Sequence, residues 1–261
     1  MVNFVEAQKP LLHGLMKMAG IRPHAFEIEP GTVMNFWVPK ETIKKPKKHK
    51  KATTTPAGGA GGVTNNNKYE TVKHKASKPA VVLIHGFAGE GIVTWQFQVG
   101  ALSKKFSVYV PDLLFFGGSI TDSKDRSPTF QARCVAEGLR RLGQNQNFLL
   151  LRNMKQATIN TWGKVMFSNR KERGELLEGL IVSNKDDTTT DFPQRIHLLW
   201  GENDQIFKVD LAKTMKEQLG SKTTFEGIRK AGHLVHLERP CVYNRCLKKF
   251  LVSLQVDKAR K

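Results

Sequence analysis

The sequence predicts an α/β protein built on a mainly parallel sheet. Two apolar runs typical of buried strands, AVVLIHGF at 80–87 and FSVYVPDLLFFGGS at 106–119, are each followed by a segment with helical spacing, and the same alternation returns between residues 195 and 255. Parallel neighbours in a sheet need a crossover connection, which is usually a helix, so this order favours a parallel sheet. A chain of 261 residues, 39% of them hydrophobic, is long enough for one such domain.

The chain carries a formal net charge of +19 and has a pI near 10.0. A positive charge of this size is typical of proteins that bind nucleic acid or an anionic membrane. However, residues 40–78 contain eleven lysines and two acidic residues, so this stretch alone supplies +9 of the net charge. The charge is therefore partly local. Because no nucleic-acid-binding motif accompanies it, we expect no specific nucleic acid partner.

The cysteines are Cys134, Cys241 and Cys246, an odd number without a CxxC pair, so neither a disulfide framework nor a zinc site is indicated. The sequence contains no phosphate loop, dinucleotide fingerprint or metal motif, and we expect neither a cofactor nor a metal.

No apolar run approaches the roughly 20 residues of a membrane span, and the first residues lack the pattern of a signal peptide. We expect a soluble, monomeric, cytoplasmic protein.

The first 39 residues predict a helix and then a hairpin. Two alternating segments around Pro30-Gly31 predict the hairpin strands. Residues 6–20 have the apolar spacing of an amphipathic helix that stops at Gly20, and its apolar side chains are Leu11, Leu12, Leu15, Met16 and Met18. We expect this helix to pack on the domain surface. The alternative is a peripheral membrane contact through Leu12, Leu15 and Met16, since an apolar face beside lysines is typical of interfacial helices.

Residues 40–78 predict a flexible loop inserted between strands. The segment is rich in lysine, threonine, glycine and asparagine and nearly free of large apolar residues, so it cannot bury enough surface to offset its ordering entropy. Its KKPKKHKK run at 44–51 has the composition of a nuclear localisation signal or a polyanion-binding patch. A solvated loop is the simpler interpretation, and a weak contact with a polyanion or an anionic membrane surface is the alternative.

Four short motifs follow predicted strands in chain order. They are HGF at 85–87, PDLLFFGGS at 111–119, LLWGENDQIF at 198–207 and GHLVHLERP at 232–240. Together they resemble the α/β-hydrolase superfamily, and their sequences are similar to those of plant-type hydrolases related to monoacylglycerol lipases and epoxide hydrolases. The resemblance implies a mainly parallel central sheet with helices on both faces and an active site at the carboxyl ends of the strands.

The same resemblance predicts how the chain is divided. Residues 1–39 form the opening helix and hairpin, 40–78 the lysine-rich loop, and 79–148 the N-terminal half of the hydrolase core. Residues 149–190 would be a remnant of the lid, with a helix over 171–183, and residues 191–261 the C-terminal half of the core.

By resemblance, Asp204 would orient His233, and His233 would be the general base that takes a proton from the nucleophile. The chain order Asp then His is the order of this fold. Glu202 is the nearest rival carboxylate, and His236 is the rival histidine. Gly232, directly before His233, favours the first histidine.

The resemblance also assigns the oxyanion hole and the pocket. The backbone N–H of Phe87 stands in the family's oxyanion position, and Gly86 permits the tight path before it. His85, Trp95 and Phe116 are the predicted pocket residues.

The nucleophile of the family is absent. No G-x-S-x-G occurs in the chain, and Ser119 belongs to the preceding motif, where we expect a turn residue. Counting onward from Gly143 places Asn153 near the family's serine, with Leu151 and Lys155 near its two glycines. An asparagine tolerates the left-handed backbone of such a turn, but its amide is not a nucleophile.

The spacing predicts that a block of the fold is missing. Only 60 residues separate Gly143 from Asp204, whereas a strand, elbow, helix, further strand and lid would need roughly 100 if each βαβ unit takes about 30. We therefore expect a truncated core that lacks the elbow strand, the helix and strand after it, and part of the lid. A splice or gene-model variant is our hypothesis for its origin.

Three functions remain open at this point. By resemblance, the chain is a carboxylic-ester hydrolase, similar to monoacylglycerol lipases, whose Ser-Asp-His chemistry is inactive for lack of the serine. A non-catalytic protein that binds a small apolar ester-like ligand is the second. The third is a polyanion binder that acts through the lysine-rich loop. In that case the protein would be located in the nucleus or at the periphery of a membrane.

Overall fold

The computed structural model describes residues 4–43, 78–87, 89–144, 148–152, 169–179 and 192–259. Its helices are α1 (Phe4–Met18), α2 (Gly91–Thr94), α3 (Gln96–Leu102), α4 (Pro128–Arg141), α5 (Arg170–Gly179), α6 (Val209–Gln218), α7 (Val235–Glu238) and α8 (Pro240–Ala259). Its strands are β1 (Ile21–Glu29), β2 (Thr32–Pro39), β3 (Ala80–Ile84), β4 (Ser107–Pro111), β5 (Ile120–Thr121), β6 (Phe148–Arg152), β7 (Ile196–Gly201) and β8 (Thr223–Ile228), and a 3-10 turn covers Lys40–Thr42.

The local signals in the sequence produce the predicted elements. In α4, the Ser127 side chain caps the helix by accepting a hydrogen bond from the Phe130 N–H at 3.1 Å, Pro128 occupies the first turn, and Gly143 follows the helix with φ of 77°. The hairpin of β1 and β2 turns at Pro30-Gly31, where Gly31 has φ of 75°. Gly20 follows α1 with φ of 84°, a conformation that glycine adopts without a steric penalty.

The strands form two sheets in the described part of the chain. The larger has the order β1-β2-β4-β3-β6, with β5 paired to β2, and the smaller consists of β7 and β8. The pairs β3 with β4, β3 with β6, and β7 with β8 are all parallel, as predicted, while β1, β2 and β5 supply the antiparallel edge.

The structure corrects one part of the expected truncation. We expected the elbow strand to be missing, but Phe148–Arg152 forms β6 and pairs in parallel with β3 over five residues, ending with Ile84 opposite Arg152. The FLLL run is apolar enough to take the place of a buried strand. Among the described residues no strand lies between β6 and β7, and backbone pairing does not join the two sheets.

Helices cover both faces of the larger sheet. Successive β3 side chains point to opposite faces, so Val81 and Leu83 join one apolar cluster, while Ala80 and Val82 join the other. The first cluster also contains side chains of α1, α3 and α8. The second contains side chains of α4 and α5. This arrangement is the α/β layering that the sequence predicts.

Some predicted features lie outside the described residues. These are the lysine-rich run at 44–51, Asn153 with Lys155, and the part of the predicted lid helix beyond Gly179. The described part of that helix is α5, Arg170–Gly179.

We predict that Gly138→Ala destabilises the fold. A Cβ at Gly138 would collide with the ring of Phe36, which is 0% exposed and cannot move aside. Overpacking of this kind costs about 1 to 3 kcal/mol, which outweighs the gain in helix propensity of up to about 1 kcal/mol. Urea denaturation measures the change. The matched control is Gly100→Ala in α3, where a Cβ meets nothing within 4 Å and which should be neutral or stabilising. Equal stability of the two variants would contradict the packing.

Candidate functional site

The predicted site residues lie where three strands end. Phe87 follows β3, Asp204 follows β7, and His233 follows β8 by five residues. In parallel sheets, the loops at the carboxyl ends of the strands can carry chemistry without disturbing the core. Here β3 belongs to the larger sheet and β7 and β8 belong to the smaller one, and strand pairing does not join the two sheets in the described part of the chain. We refer to Phe87, Asp204 and His233 as the candidate site.

The structure brings Asp204 and His233 together. His233 Nδ1 lies 3.2 Å from Asp204 Oδ2 and 3.3 Å from Oδ1. The Asp204 side chain is fully buried, and its Oδ1 also accepts hydrogen bonds from the N–H groups of Ile206 at 2.9 Å and Phe207 at 3.0 Å. These two backbone donors fix the carboxylate, so it can hold the imidazole in one orientation.

The rival residues lie elsewhere. Glu202 is 42% exposed at its side chain and lies 4.0 Å from Arg229 at the protein surface. His236 is buried beneath the ring of Trp95, with 5.2 Å between ring centroids, and its carbonyl accepts a hydrogen bond from Gln98. The carboxylate and the imidazole that the resemblance predicts, Asp204 and His233, are in direct contact.

Glu238 positions the His233 loop, and the sequence analysis missed it. Its carboxylate accepts hydrogen bonds from the N–H of Gly232 at 2.6 Å and from the N–H of Leu234 at 2.8 Å, the two residues that flank His233. Glu238 lies at the end of α7, which begins directly after Leu234. A glutamate within the first turn of a short helix is a known capping pattern, and this spacing could have indicated its role.

His85 ties two strand-end loops together. Its Nδ1–H donates to the Gly86 carbonyl at 2.7 Å, and its Nε2 accepts from the Leu113 N–H at 2.9 Å. These partners require the neutral ring. Burial, the largest effect, lowers the pKa of His85 to about 4, and the positive charge of Arg173 lowers it further against the opposing Gly86 hydrogen bond. The His85 side chain is buried in this contact between the loops after β3 and β4.

The other predicted pocket residues are also buried. Phe116 is 1% exposed, and its ring edge meets His85 at 5.0 Å and Phe87 at 5.3 Å between centroids. Trp95 is 1% exposed and belongs to the opposite apolar cluster. Phe116 therefore packs directly behind the predicted oxyanion residue, whereas Trp95 lies on the other face of the sheet.

Asp112 organises the loop after β4. Its Oδ2 accepts from Asn35 Nδ2 at 2.7 Å and its Oδ1 from the Gly91 N–H at 2.8 Å. Burial raises the pKa of Asp112 to about 7 despite these two hydrogen bonds, which lower it. The Ser119 hydroxyl donates to the Asp112 carbonyl at 2.7 Å and accepts from the Asn35 N–H at 2.9 Å, so Ser119 is the buried turn residue that the motif predicts.

The helix α5 docks on the same loop. Arg173 Nε donates to the Phe115 carbonyl at 2.8 Å, and its guanidinium carbon lies 4.1 Å from the centroid of the Phe116 ring. A salt bridge of 2.8 Å joins Glu175 to Arg126, whose guanidinium lies over Phe115. Cation–π contacts and hydrogen bonds thus hold α5, which is part of the predicted lid remnant, against Phe115 and Phe116.

The described part of the chain offers His233 no nucleophile. Apart from its contact with Asp204, no hydrogen bond joins the His233 ring to another described residue. The strand β6 ends at Arg152, opposite Ile84, and residues 153–157, which follow it, read Asn-Met-Lys-Gln-Ala. None of these side chains carries a hydroxyl, thiol or carboxylate.

Solved structures share this fold over nearly the whole chain. A candidate lipase from Acinetobacter baumannii AYE is 16% identical with a TM-score of 0.66, and the match covers 95% of this chain and 97% of the other. A membrane phospholipase A described as a bacterial virulence factor is 14% identical with a TM-score of 0.64, covering 97% and 91%. A 2-hydroxy-6-oxo-6-phenylhexa-2,4-dienoate hydrolase from Rhodococcus sp. strain RHA1 is 14% identical with a TM-score of 0.60, covering 88% and 98%.

The sequence itself matches no family model and no curated protein. The structural likeness, together with the strand order and the paired Asp204 and His233, shows that the chain has the α/β-hydrolase fold.

In the described ranges, no group of three or more His, Cys, Asp or Glu side chains is arranged to hold a metal ion. No helix in those ranges is long and apolar enough to cross a bilayer.

We predict that Asp112 makes the fold less stable as the pH rises. Its pKa is about 7 in the folded protein against an ordinary value of 3.8, so the folded state keeps a proton that the unfolded state loses. The free energy of unfolding should therefore fall, by on the order of a few kcal/mol, between about pH 4 and pH 7. Urea denaturation across this range tests the effect.

Asp112→Asn removes this titration and should flatten the decline, although it leaves either Asn35 Nδ2 or the Gly91 N–H unpaired and lowers stability at every pH. The exposed Asp210→Asn is the control and should keep the slope of the original chain. An unchanged slope in Asp112→Asn would contradict the assignment.

We predict that Glu238→Gln loosens the loop that carries His233. An amide oxygen and an NH2 group replace two carboxylate oxygens, so one of the two backbone N–H groups loses its acceptor at a cost of about 1 to 3 kcal/mol. Hydrogen exchange at Gly232 and Leu234 should become faster. Glu217→Gln on α6 is the matched control, and equal exchange rates in both variants would show that Glu238 does not hold the loop.

Proposed function

We propose that the chain derives from a carboxylic-ester hydrolase similar to monoacylglycerol lipases and that, in this form, it binds an apolar ester-like ligand without hydrolysing it. One observation carries the proposal. The Nδ1 of His233 lies 3.2 Å from Asp204, as a general base requires, but none of residues 153–157, which directly follow β6, carries a hydroxyl, thiol or carboxylate.

The Asp204 and His233 pair supports the hydrolase ancestry. A buried carboxylate that is fixed by two backbone N–H groups can stabilise the imidazolium that forms when the histidine takes a proton from a nucleophile. The Phe87 N–H, following Gly86 at the end of β3, would be one donor to an oxyanion in this scheme.

The register of β6 supports the loss of turnover. In this fold the nucleophile sits directly after the strand that lies beside β3, and the pairing of Ile84 with Arg152 identifies that strand as β6. Asn153 is the next residue in the sequence, and its amide cannot attack an ester carbonyl. Without an attacking group, His233 has only water to deprotonate.

The preference for an apolar ester rests on the surroundings of Phe87 and on the resemblance. The rings of Phe87 and Phe116 lie in contact, and Phe116 is covered by the guanidinium of Arg173. Phe87 is partly exposed, so its ring could contact an acyl chain. Proteins named as a candidate lipase and a phospholipase A have the same fold, which agrees with this substrate class.

The truncation belongs to the same proposal. The two sheets are not joined by strand pairing among the described residues, as would follow if a strand between β6 and β7 had been lost with the elbow. A transcript from the same gene with a G-x-S-x-G block between these strands would support a splice or gene-model origin. A gene whose reading frame has no alternative form at this junction would contradict it.

We predict no histidine-dependent ester turnover. The purified and demonstrably folded chain, mixed with a short-chain p-nitrophenyl ester, should give no burst of p-nitrophenol because no acyl-enzyme can form. The steady rate should be the same in His233→Ala, whereas removal of the base from an intact triad lowers the rate by orders of magnitude. Turnover that His233→Ala abolishes would reveal a nucleophile and contradict the proposal.

Ligand binding is the second arm of this experiment. A non-hydrolysable ether analogue of a monoacylglycerol should raise the midpoint of thermal unfolding. At a ligand concentration one hundred times Kd, the free energy of unfolding should increase by about 2.7 kcal/mol. His233→Ala should keep this shift because an apolar ligand does not require the imidazole. The absence of any shift, together with the absence of turnover, would exclude both the hydrolase and the ligand-binding interpretation.

A further inference from the structure

The helix α1 presents an apolar stripe to solvent. Leu11 is 67% exposed, Leu15 37% and Met18 79%, and their spacing of four and three residues places them on one side of the helix. Single exposed apolar residues are common on protein surfaces, but three in a row on one helix indicate an interaction. We call Leu11, Leu15 and Met18 the α1 stripe.

The core fixes the direction in which the α1 stripe points. Leu12 is 5% exposed and Met16 1%, and both belong to the apolar cluster that includes Ile21 and Trp37. The ring of His13 meets Trp37 at 4.8 Å between centroids. The helix cannot roll to bury its stripe without exposing these core residues. The sequence analysis considered a membrane contact through Leu12, Leu15 and Met16. Leu12 and Met16 face the core, so of these three residues only Leu15 is available for such a contact.

The charge along the sequence of the stripe is positive. From Lys9 to Arg22 the sequence contains no aspartate or glutamate. Lys17 is exposed and precedes Met18, and Arg22 donates to the Lys17 carbonyl at 2.9 Å, which holds a second cation at the C-terminal end of the helix. An apolar stripe that ends in cations is complementary to a surface with an apolar interior and anionic head groups.

From these observations, we propose that α1 is an interfacial helix that seats the α1 stripe in the head-group region of an anionic lipid bilayer. The stripe protrudes on the outside of a helix, so it fits a yielding surface rather than a preformed pocket. A second copy of the chain is the less suitable occupant. Three side chains fall far short of the roughly 800 Å² that each partner buries in a stable interface, and Lys17 would face its own copy across a two-fold axis.

The position of α1 relates this surface to the candidate site. Lys9, near the start of the helix, lies 3.8 Å from Glu90, which directly precedes α2 and follows the loop of His85, Gly86 and Phe87. The N-terminal part of α1 therefore lies beside the loop that holds the predicted oxyanion donor. If the proposed function holds, a lipid-derived ester would reach the site from the surface to which α1 binds. Membrane binding itself does not depend on that function.

Vesicle flotation with the full chain tests the proposal. Vesicles of phosphatidylcholine mixed with phosphatidylserine should bind the protein, and vesicles of phosphatidylcholine alone should bind it less. The combined variant Leu11→Ser, Leu15→Ser and Met18→Ser should lower binding to the anionic vesicles by at least about tenfold. The variant should still unfold cooperatively, since Leu11 and Met18 are mostly exposed and the core residues Leu12 and Met16 are unchanged.

The matched control replaces apolar side chains of similar exposure on other helices. Leu211 on α6 is 44% exposed and Val252 on α8 43%, and Leu211→Ser with Val252→Ser should bind vesicles like the original chain. Equal binding of the stripe variant and the original chain would overturn the proposal and assign the contact to another surface, such as the lysines at 44–51. A dimer that the stripe variant dissociates, with no vesicle binding by the original chain, would also overturn it.

Discussion

The parallel pairing of β3 with β6 determines what this fold can do chemically. Because Ile84 stands opposite Arg152, the two strands end side by side. In an α/β-hydrolase, the residues after these two strands supply the oxyanion donor and the nucleophile. Here Gly86 and Phe87 follow β3, whereas Asn153 follows β6 in the sequence. Under the proposed function, the strands keep the positions that catalysis needs while the sequence lacks the attacking group.

Buried polar contacts hold the loops that follow β3 and β4. Neutral His85 joins the loop after β3 to the loop after β4. Asp112 joins the loop after β4 to β2 and α2, and Arg173 of α5 donates a hydrogen bond to the same loop. Each of these groups has its partners in the interior, where an unpaired polar atom would cost about 1 to 3 kcal/mol. This network holds the loops after β3 and β4 in place through contacts with β2, α2 and α5.

The sequence predicted the elements whose signals are local. The buried run before His85 could only be a strand, and Ser127 with Pro128 marks the start of α4 in a way that neighbouring structure does not alter. The motifs also placed Asp204 and His233 at strand ends, and the structure brings these two side chains into contact. Their proposed catalytic roles remain an inference from the resemblance.

Features that depend on distant partners could not be predicted. The role of Glu238 depends on a loop that turns back over α7, and the burial of Phe116 depends on Arg173, which is 57 positions further along the chain. The apolar spacing of α1 likewise predicted an amphipathic helix without deciding which apolar side chains face the core. Only the packing against Trp37 decides that Leu12 and Met16 face the core and Met18 does not.

Active-site labelling tests the central claim most directly, which is that the Asp204 and His233 pair has no nucleophile to activate. An alkyl fluorophosphonate forms a covalent bond with a serine whose proton is taken by a neighbouring histidine, and the intact mass of the protein then increases by one phosphonyl group. We predict no increase in mass after prolonged treatment of the folded chain, in parallel with an active serine esterase that is fully labelled. A stoichiometric adduct on one serine of this chain, absent in His233→Ala, would contradict the account.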